Sequence, residues 1–332
     1  MPAIRQAFAA VFFSLLISGT LQAAPIDPPT VALSRGTVAI VVADYRGNPG
    51  GNRILFDNVT RLQGFGEVPD LVELVAPDRA DRLEVGSRYV VAYSQYKSSK
   101  TKQIIGDPAG AHALMSPGME PAIWKADPQI ESLALWRPDL DPAGIEAALP
   151  RLLAMLASSD LDMQRFAAAE IRFRPVLIAK LDAAAQRELA TFAGREKFTA
   201  ASARAAILAV AHDMQPIARL QQQWDSVALR ILRGGPLDTM AHERYAELVM
   251  TAFERVERRG VKVNQSSLQR WLRSDDNALN EQALLALRRQ SPEAERAALD
   301  KALRRSDLPA DTRLFLEGHH QRLTHTTRPG RQ

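Results

Sequence analysis

Hydrophobic and polar positions change their period once along this chain, and the change divides it in two. Between Thr37 and Ile105 the apolar residues come in short runs rich in Val, Ile, Tyr and Phe: Thr37 to Tyr45, Arg53 to Leu62, Leu71 to Ala76, Arg88 to Tyr96 and Gln103 to Ile105. Turn chemistry bounds them, as in Gly47-Asn48-Pro49-Gly50-Gly51-Asn52, Gly64-Phe65-Gly66, Pro77-Asp78 and Gly106-Asp107-Pro108, so each run predicts a strand. In the fourth run Tyr89, Val91 and Tyr93 fall on one face and Val90, Ala92 and Ser94 on the other. At least one face must therefore be core. About five strands in roughly 70 residues predict a small β-barrel or sandwich.

From Asp141 onward the period is helical. Asp141-Pro142 is an N-cap followed by proline, and Ile145, Leu149, Leu152, Leu153 and Leu156 form one apolar stripe. Ser158-Ser159-Asp160 breaks that helix and caps the next, whose inner face is Met163, Phe166, Ala167 and Ile171. This stretch returns in diluted form. Leu152 matches Leu268, Leu156 matches Leu272, Ser158 matches Ser274, Asp160 matches Asp276, Ala167 matches Ala283 and Ile171 matches Leu287. Taking Leu156, Phe192, Leu232, Leu272 and Leu303 as equivalent gives steps of about 31 to 40 residues, in or near the range of two-helix repeats that bury their apolar faces by stacking. The boundaries that follow are a β domain over 31–106, a connector over 107–142 carrying Trp124 and Trp136, helical repeats over 143–323 and a flexible tail over 324–332. The tryptophans are expected to cover the seam between the two halves.

Both halves resemble known families. Leu83-Glu84-Val85-Gly86-Ser87-Arg88-Tyr89-Val90-Val91-Ala92 resembles the G-x-x-Y-hydrophobic signature of the netrin-like OB barrel found in tissue inhibitors of metalloproteinases. The resemblance implies an OB-like barrel. It does not carry the family's inhibitory chemistry, which needs an N-terminal cysteine, because the chain has Cys 0. Leu152 to Ile171 and Leu268 to Leu287 resemble HEAT-type repeats with L-x-x-L-L-x-S-x-D between helices and an Ala-rich second helix. Gly194-Arg195-Glu196 and Gly234-Gly235-Pro236 depart from that turn in the middle copies. The fold class expected is α+β multidomain, with a small N-terminal OB-like β-barrel or sandwich followed by a HEAT-like α-solenoid. That likeness implies a protein or peptide partner held along the second helices, where Arg165, Arg204, Arg244 and Arg288 are the candidate contacts.

Composition adds an address. Met1 to Ala23 has a basic start at Arg5, an apolar run from Phe8 to Ile17 and small residues before Ala24-Pro25, the pattern of a Sec-type signal peptide. The expected location is periplasmic or secreted, with no integral membrane segment after cleavage. Among 332 residues, 46% are hydrophobic and 24% charged, an ordinary globular composition. Lys+Arg 42 against Asp+Glu 38 is nearly balanced, and with export it argues against nucleic acid as a partner.

Candidate chemistry is sparse. The absence of cysteine removes disulfides, thiolate nucleophiles and zinc-thiolate sites. The histidines, His112, His212, His242, His319, His320 and His325, form no H-E-x-x-H or other helical ligand pair. Ser94-Gln95-Tyr96-Lys97 spells S-x-x-K but ends a predicted strand, where the β-lactamase type begins a helix. Gly47 to Asn52 lacks the Lys-Ser/Thr of a phosphate loop and reads as a hairpin turn. Tyr45, Phe56, Phe65, Tyr89, Tyr93 and Tyr96 are read as packing in preference to a stacking platform. No catalytic, cofactor-binding or metal-ligating residue is assigned. The leading reading is a non-enzymatic binding or scaffold protein. The alternative is an envelope hydrolase or protease-modulating protein with a site between the two domains.

Overall fold

The computed structural model describes residues 28–34, 38–50, 53–64, 68–75, 83–94, 112–114, 122–136, 142–214, 218–235 and 245–326. The expected signal peptide, the run Gln103 to Ile105, Arg244 and residues 327–332 lie outside them. Within them the fold is mixed, a small and mostly antiparallel sheet followed by helices. Six strands are formed: β1 Val38–Gly50, β2 Arg53–Gln63, β3 Val72–Val75, β4 Arg88–Ser94, β5 His112–Leu114 and β6 Ile123–Lys125. Their order is β1-β2-β3-β5-β4-β6, and β1 also pairs with β4. The pairings thus return to β1 after five strands, with β6 added outside on β4.

The length of β1 makes that return possible. It pairs with β4 from Val38 opposite Ser94 to Asp44 opposite Arg88, and with β2 from Ile40 opposite Gln63 to Gly50 opposite Arg53. Register shifts along the second ladder bend the strand and strengthen its twist. At the other end of that sheet region Gly86, at φ +83, turns the chain into β4, and its N–H donates to the Tyr45 carbonyl at 2.8 Å. A side chain is strained in that left-handed conformation. β3 and β5 pair in parallel; every other ladder is antiparallel.

Both faces of the fourth predicted strand are buried. Tyr89, Val91 and Tyr93 join Ala39, Val41, Ala43, Tyr45, Ile54 and Phe56 in an inner core. Tyr45, Phe56 and Tyr89 meet there with ring centroids 5.6 to 6.4 Å apart, so these rings are packing elements. Phe65 and Tyr96 are outside the described residues. Val90 and Ala92, with Ile40 and Val42, belong to a second core that continues into the helices. β5 and β6 arise in the stretch read as connector; at three residues each they are too short to show a period. Trp124 of β6 is 4% exposed and meets Phe166 edge-on at 5.2 Å, which fits its expected place at the seam.

Thirteen helices occur among the described residues. The short α1 Pro29–Leu33 precedes the sheet, and α2 Pro128–Ala134 follows β6. The remainder are α3 Pro142–Ala157, α4 Leu161–Arg172, α5 Pro175–Ala179, α6 Ala183–Ala193, α7 Ala201–Asp213 and α8 Ala218–Gly234. Then come α9 Tyr245–Arg258, α10 Gln265–Trp271, α11 Asn277–Gln290, α12 Pro292–Leu303 and α13 Ala310–Thr326. Contacts sort most of them into two rows: α3, α6, α8, α10 and α12 pack in succession, as do α4, α7, α9, α11 and α13. Leu156, Phe192, Leu232, Leu272 and Leu303 each fall at or within two residues of the end of a first-row helix. No helix among the described residues is long and apolar enough to cross a membrane.

Candidate partner-binding surface

Side chains at the turns hold the rows in place. The Asp160 carboxylate accepts from the Asp162 and Met163 amides, Asp182 from those of Ala184 and Ala185, and Asp276 from that of Ala278, each satisfying amides that a helix start leaves free. Four residues after each cap an amide side chain reaches back. Gln164 donates to the Ser158 carbonyl at 2.7 Å, Gln186 to Leu181 at 3.0 Å and Asn280 to Ser274 at 2.9 Å. Ser158 and Ser274 hydroxyls also accept from the Asp160 and Asp276 amides at 3.0 and 3.1 Å. The turns matched in sequence therefore share three hydrogen bonds: Asp amide to serine hydroxyl, the amide two residues on to Asp carboxylate, and Gln or Asn to the serine carbonyl.

Helix C-termini are served from neighbouring helices. Arg204 on α7 donates from Nε to the Ala193 carbonyl of α6 at 2.9 Å, and Arg255 on α9 donates to Ala211 of α7 at 2.9 Å. Trp271 on α10 donates from Nε1 to Leu232 of α8 at 2.8 Å, and Arg313 on α13 donates to Leu303 of α12 at 3.1 Å. Each contact places a donor on carbonyls left unpaired at a helix end, and the cations among them favour the negative end of the helix dipole.

Three of the four candidate arginines lie in described residues, on the second-row helices α4, α7 and α11, and each has an intramolecular partner. Arg165 on α4 donates to Asp162 Oδ1 at 2.7 Å, with its side chain 14% exposed. Arg204 is buried, not a surface contact. Desolvation lowers its pKa, opposed by Tyr245 and Glu196, while Arg230 adds to the lowering. Burial likewise raises the Tyr245 phenol. Arg288 on α11 grips the buried Glu295 with Nε and Nη2, both at 2.8 Å, and His319 Nε2 lies 2.9 Å from the same carboxylate. Desolvation pushes the Glu295 pKa up, but the hydrogen bonds from Arg288 and His319 outweigh it and hold the carboxyl below its ordinary value. His319 and His320 are on α13. The structure does not gather these arginines onto a single partner group.

Sequence reasoning missed the buried cluster of Thr30, Glu170 and Arg174. Glu170 accepts from the Thr30 amide at 3.1 Å, from its hydroxyl at 2.8 Å and from Arg174 Nε at 2.6 Å. Arg174 Nη2 also donates to Thr30 Oγ1 at 2.7 Å, and its guanidinium lies 5.9 Å from the centre of the Trp136 ring. A signal was present: Glu170 and Arg174 continue the spacing of Met163, Phe166, Ala167 and Ile171, so both charges stand on an apolar stripe. Their partner, 140 residues away in sequence, left none.

Pockets and an exposed aromatic also mark the surface. A pocket of about 410 Å³ lies between α9 and α11, walled by Phe253, Val256, Val261 and Ala286, with Glu257 and Arg289 paired at its rim. Another of about 480 Å³ is bounded by Ile178, Leu181, Gln186 and Met214. Among the described residues, neither wall contains histidine, serine or tyrosine. Phe198, between α6 and α7, is 80% exposed at φ +54. Gln164 fixes the loop at Phe198 and two residues on, donating to the Phe198 carbonyl at 2.9 Å and accepting from the Ala200 amide at 2.9 Å. No protein-family model, curated protein or solved structure matches the chain.

Proposed function

We propose that this chain is an exported, non-enzymatic binding protein, an OB-like β-barrel joined to a HEAT-like α-solenoid that engages a protein or peptide partner through its helical surface. The observation that carries the reading is the repeated turn: Ser158, Asp160 and Gln164 make the hydrogen bonds that Ser274, Asp276 and Asn280 make again, while the helices pack in two successive rows. Stacked units of this kind offer an extended surface. The order β1-β2-β3-β5-β4, returning to β1, supports the barrel because a closed ring leaves those strands no open edge.

Phe198 is the contact we assign first. A large aromatic side chain kept in water on a loop held by Gln164 loses little backbone entropy on docking, and aromatic anchors dominate interface energetics. The test is crosslinking of the full chain in the cell envelope, with recovered partners compared between wild type and Phe198→Ala. Recovery of a specific partner is expected to fall by about tenfold, while thermal stability changes by no more than about 0.5 kcal/mol. Equal recovery from the variant would remove Phe198 from the interface. A purified chain that turns over a substrate and loses that activity on one Ser, His or Asp substitution would overturn the non-enzymatic reading.

A further inference from the structure

The facing sides of α10 and α12 carry two stripes with one spacing. Ser266, Gln269, Arg270 and Arg273 follow the positions i, i+3, i+4 and i+7 on the first side. Ala298, Lys301, Ala302 and Arg305 repeat them on the second, and together these residues line a groove of about 250 Å³. Ala298 and Ala302 are buried, so small side chains form its floor and long cations its walls. Lys301 Nζ donates to Gln269 Oε1 at 3.2 Å, across the groove. Arg273 and Arg305 converge on Asp307 Oδ2, at 3.1 and 2.8 Å.

Four cations against one carboxylate leave three positive charges around this groove. Bringing like charges together is unfavourable unless an anion offsets them, and here the partners of Lys301 and Arg270 are neutral: the Gln269 side chain, the Ser267 hydroxyl and the Arg233 carbonyl. The position of Arg270 is itself fixed. Its stem crosses Gly235, where an added Cβ would meet Arg270 Cδ at 3.5 Å and φ is +74, a backbone conformation suited to glycine. Asp307 demonstrates the recognition chemistry, an anionic oxygen held between two guanidinium forks.

We propose that the groove between α10 and α12 binds a phosphate group, carried by a soluble phosphorylated compound or by an anionic lipid headgroup. A phosphate monoester, with up to two negative charges, matches the surplus better than a single carboxylate; a phosphodiester headgroup carries one charge but, like the monoester, presents more than one anionic oxygen to Arg270, Lys301 and the Arg273–Arg305 pair. This site is separate from Phe198 and does not depend on the partner reading.

The experiment titrates the full chain with inorganic phosphate at constant ionic strength, then with phosphatidylglycerol-containing vesicles against vesicles of phosphatidylcholine alone. Each arm includes Lys301→Gln/Arg305→Gln, which leaves Arg273 to hold Asp307, and a charge-matched control, Lys180→Gln/Arg187→Gln. Saturable phosphate binding that weakens at least tenfold in the groove variant and less than twofold in the control supports the proposal with a soluble source. Binding confined to phosphatidylglycerol vesicles, with the same loss, supports it with a headgroup source. Arg305→Lys, which retains charge without the fork, is expected to fall between wild type and the double variant. Equal affinities in the groove variant and wild type, or no saturable binding of either probe, would overturn it.

Discussion

Glu170 and Arg174 show how one residue type takes opposite meanings by position. At i, i+4 on a solvated helix the pair would contribute a few tenths of a kcal/mol. Here Glu170 is 0% and Arg174 4% exposed, with Thr30 at 0%, so removing one partner strands a charge away from water. Glu170→Ala is expected to lower stability by about 3 to 5 kcal/mol, seen as a lower urea midpoint at unchanged m-value. Glu170→Leu/Arg174→Met, which replaces both charges with apolar groups of similar volume, is expected to recover much of that loss. A single variant indistinguishable from wild type would show that the cluster does not hold the N-terminal segment. Arg204 follows the same logic: its side chain completes α6 by bonding the Ala193 carbonyl, so a charge reversal there would report on folding before it reported on any partner.

At the scale of the element, two matched turns are not equally complete. Gln164 donates to Ser158 and Phe198 and accepts from Ala200, joining the α3–α4 turn to the loop before α7. Asn280 donates to Ser274, and its Oδ1 is buried without a hydrogen bond; the Ser274 carbonyl takes a second donor from Thr312 instead. The equivalent connections are of similar length, seven residues from Gly194 to Ala200 between α6 and α7 and six from Arg304 to Pro309 between α12 and α13, but at the second the cross-link to the neighbouring turn comes from Thr312 on α13 and not from the shorter Asn280 side chain. Asn280 also donates to Asn277 Oδ1, so Gln164 makes three side-chain hydrogen bonds to its two, and Gln164→Ala is therefore expected to cost more than Asn280→Ala, by about 1 kcal/mol for the one additional bond. Denaturant unfolding of the two variants in parallel measures this, and a larger loss at Asn280 would contradict it. The match between Ser158-Asp160 and Ser274-Asp276 was legible because capping uses a few residue types at fixed offsets. The amide brace four residues on was equally periodic, but Gln and Asn at those positions look like ordinary polar surface until the helix is packed. β5 and β6 were not legible, since strands of three residues carry no period and are held by the ladders of β3 and β4.

For the whole molecule, the question is whether sheet and helices fold together. The sheet gives way to helices from Pro128 onward, before the change of period read at Asp141, and the apolar core runs across that boundary. Ile40, Val42, Val90, Ala92 and Trp124 on the sheet side share one cluster with Leu152, Leu156, Phe166 and Ile171 on the helical side. From Ala39 to Val42 of β1 and from Val90 to Ala92 of β4 the outer face is consequently as dry as the interior. Sequence alone exposed both apolar faces of β4, as Tyr89-Val91-Tyr93 and Val90-Ala92, without specifying what covered the second. Trp124 occupies that junction, so Trp124→Ala removes packing from both sides at once, a loss of about 3 to 5 kcal/mol for a buried aromatic. Because the two halves share that core, the variant is expected to unfold in a single transition at lower denaturant, with the helical signal at 222 nm and the near-ultraviolet tyrosine signal falling together. Coincident transitions are the criterion for one cooperative unit. If instead the tyrosine signal collapses first while helicity persists to the wild-type midpoint, the sheet is a separable domain and the shared core contributes little to cooperativity. The distinction reaches function: in a cooperative chain, substitutions along the seam would weaken partner binding through the population of folded protein, whereas Phe198 and the α10–α12 groove would alter binding with that population unchanged.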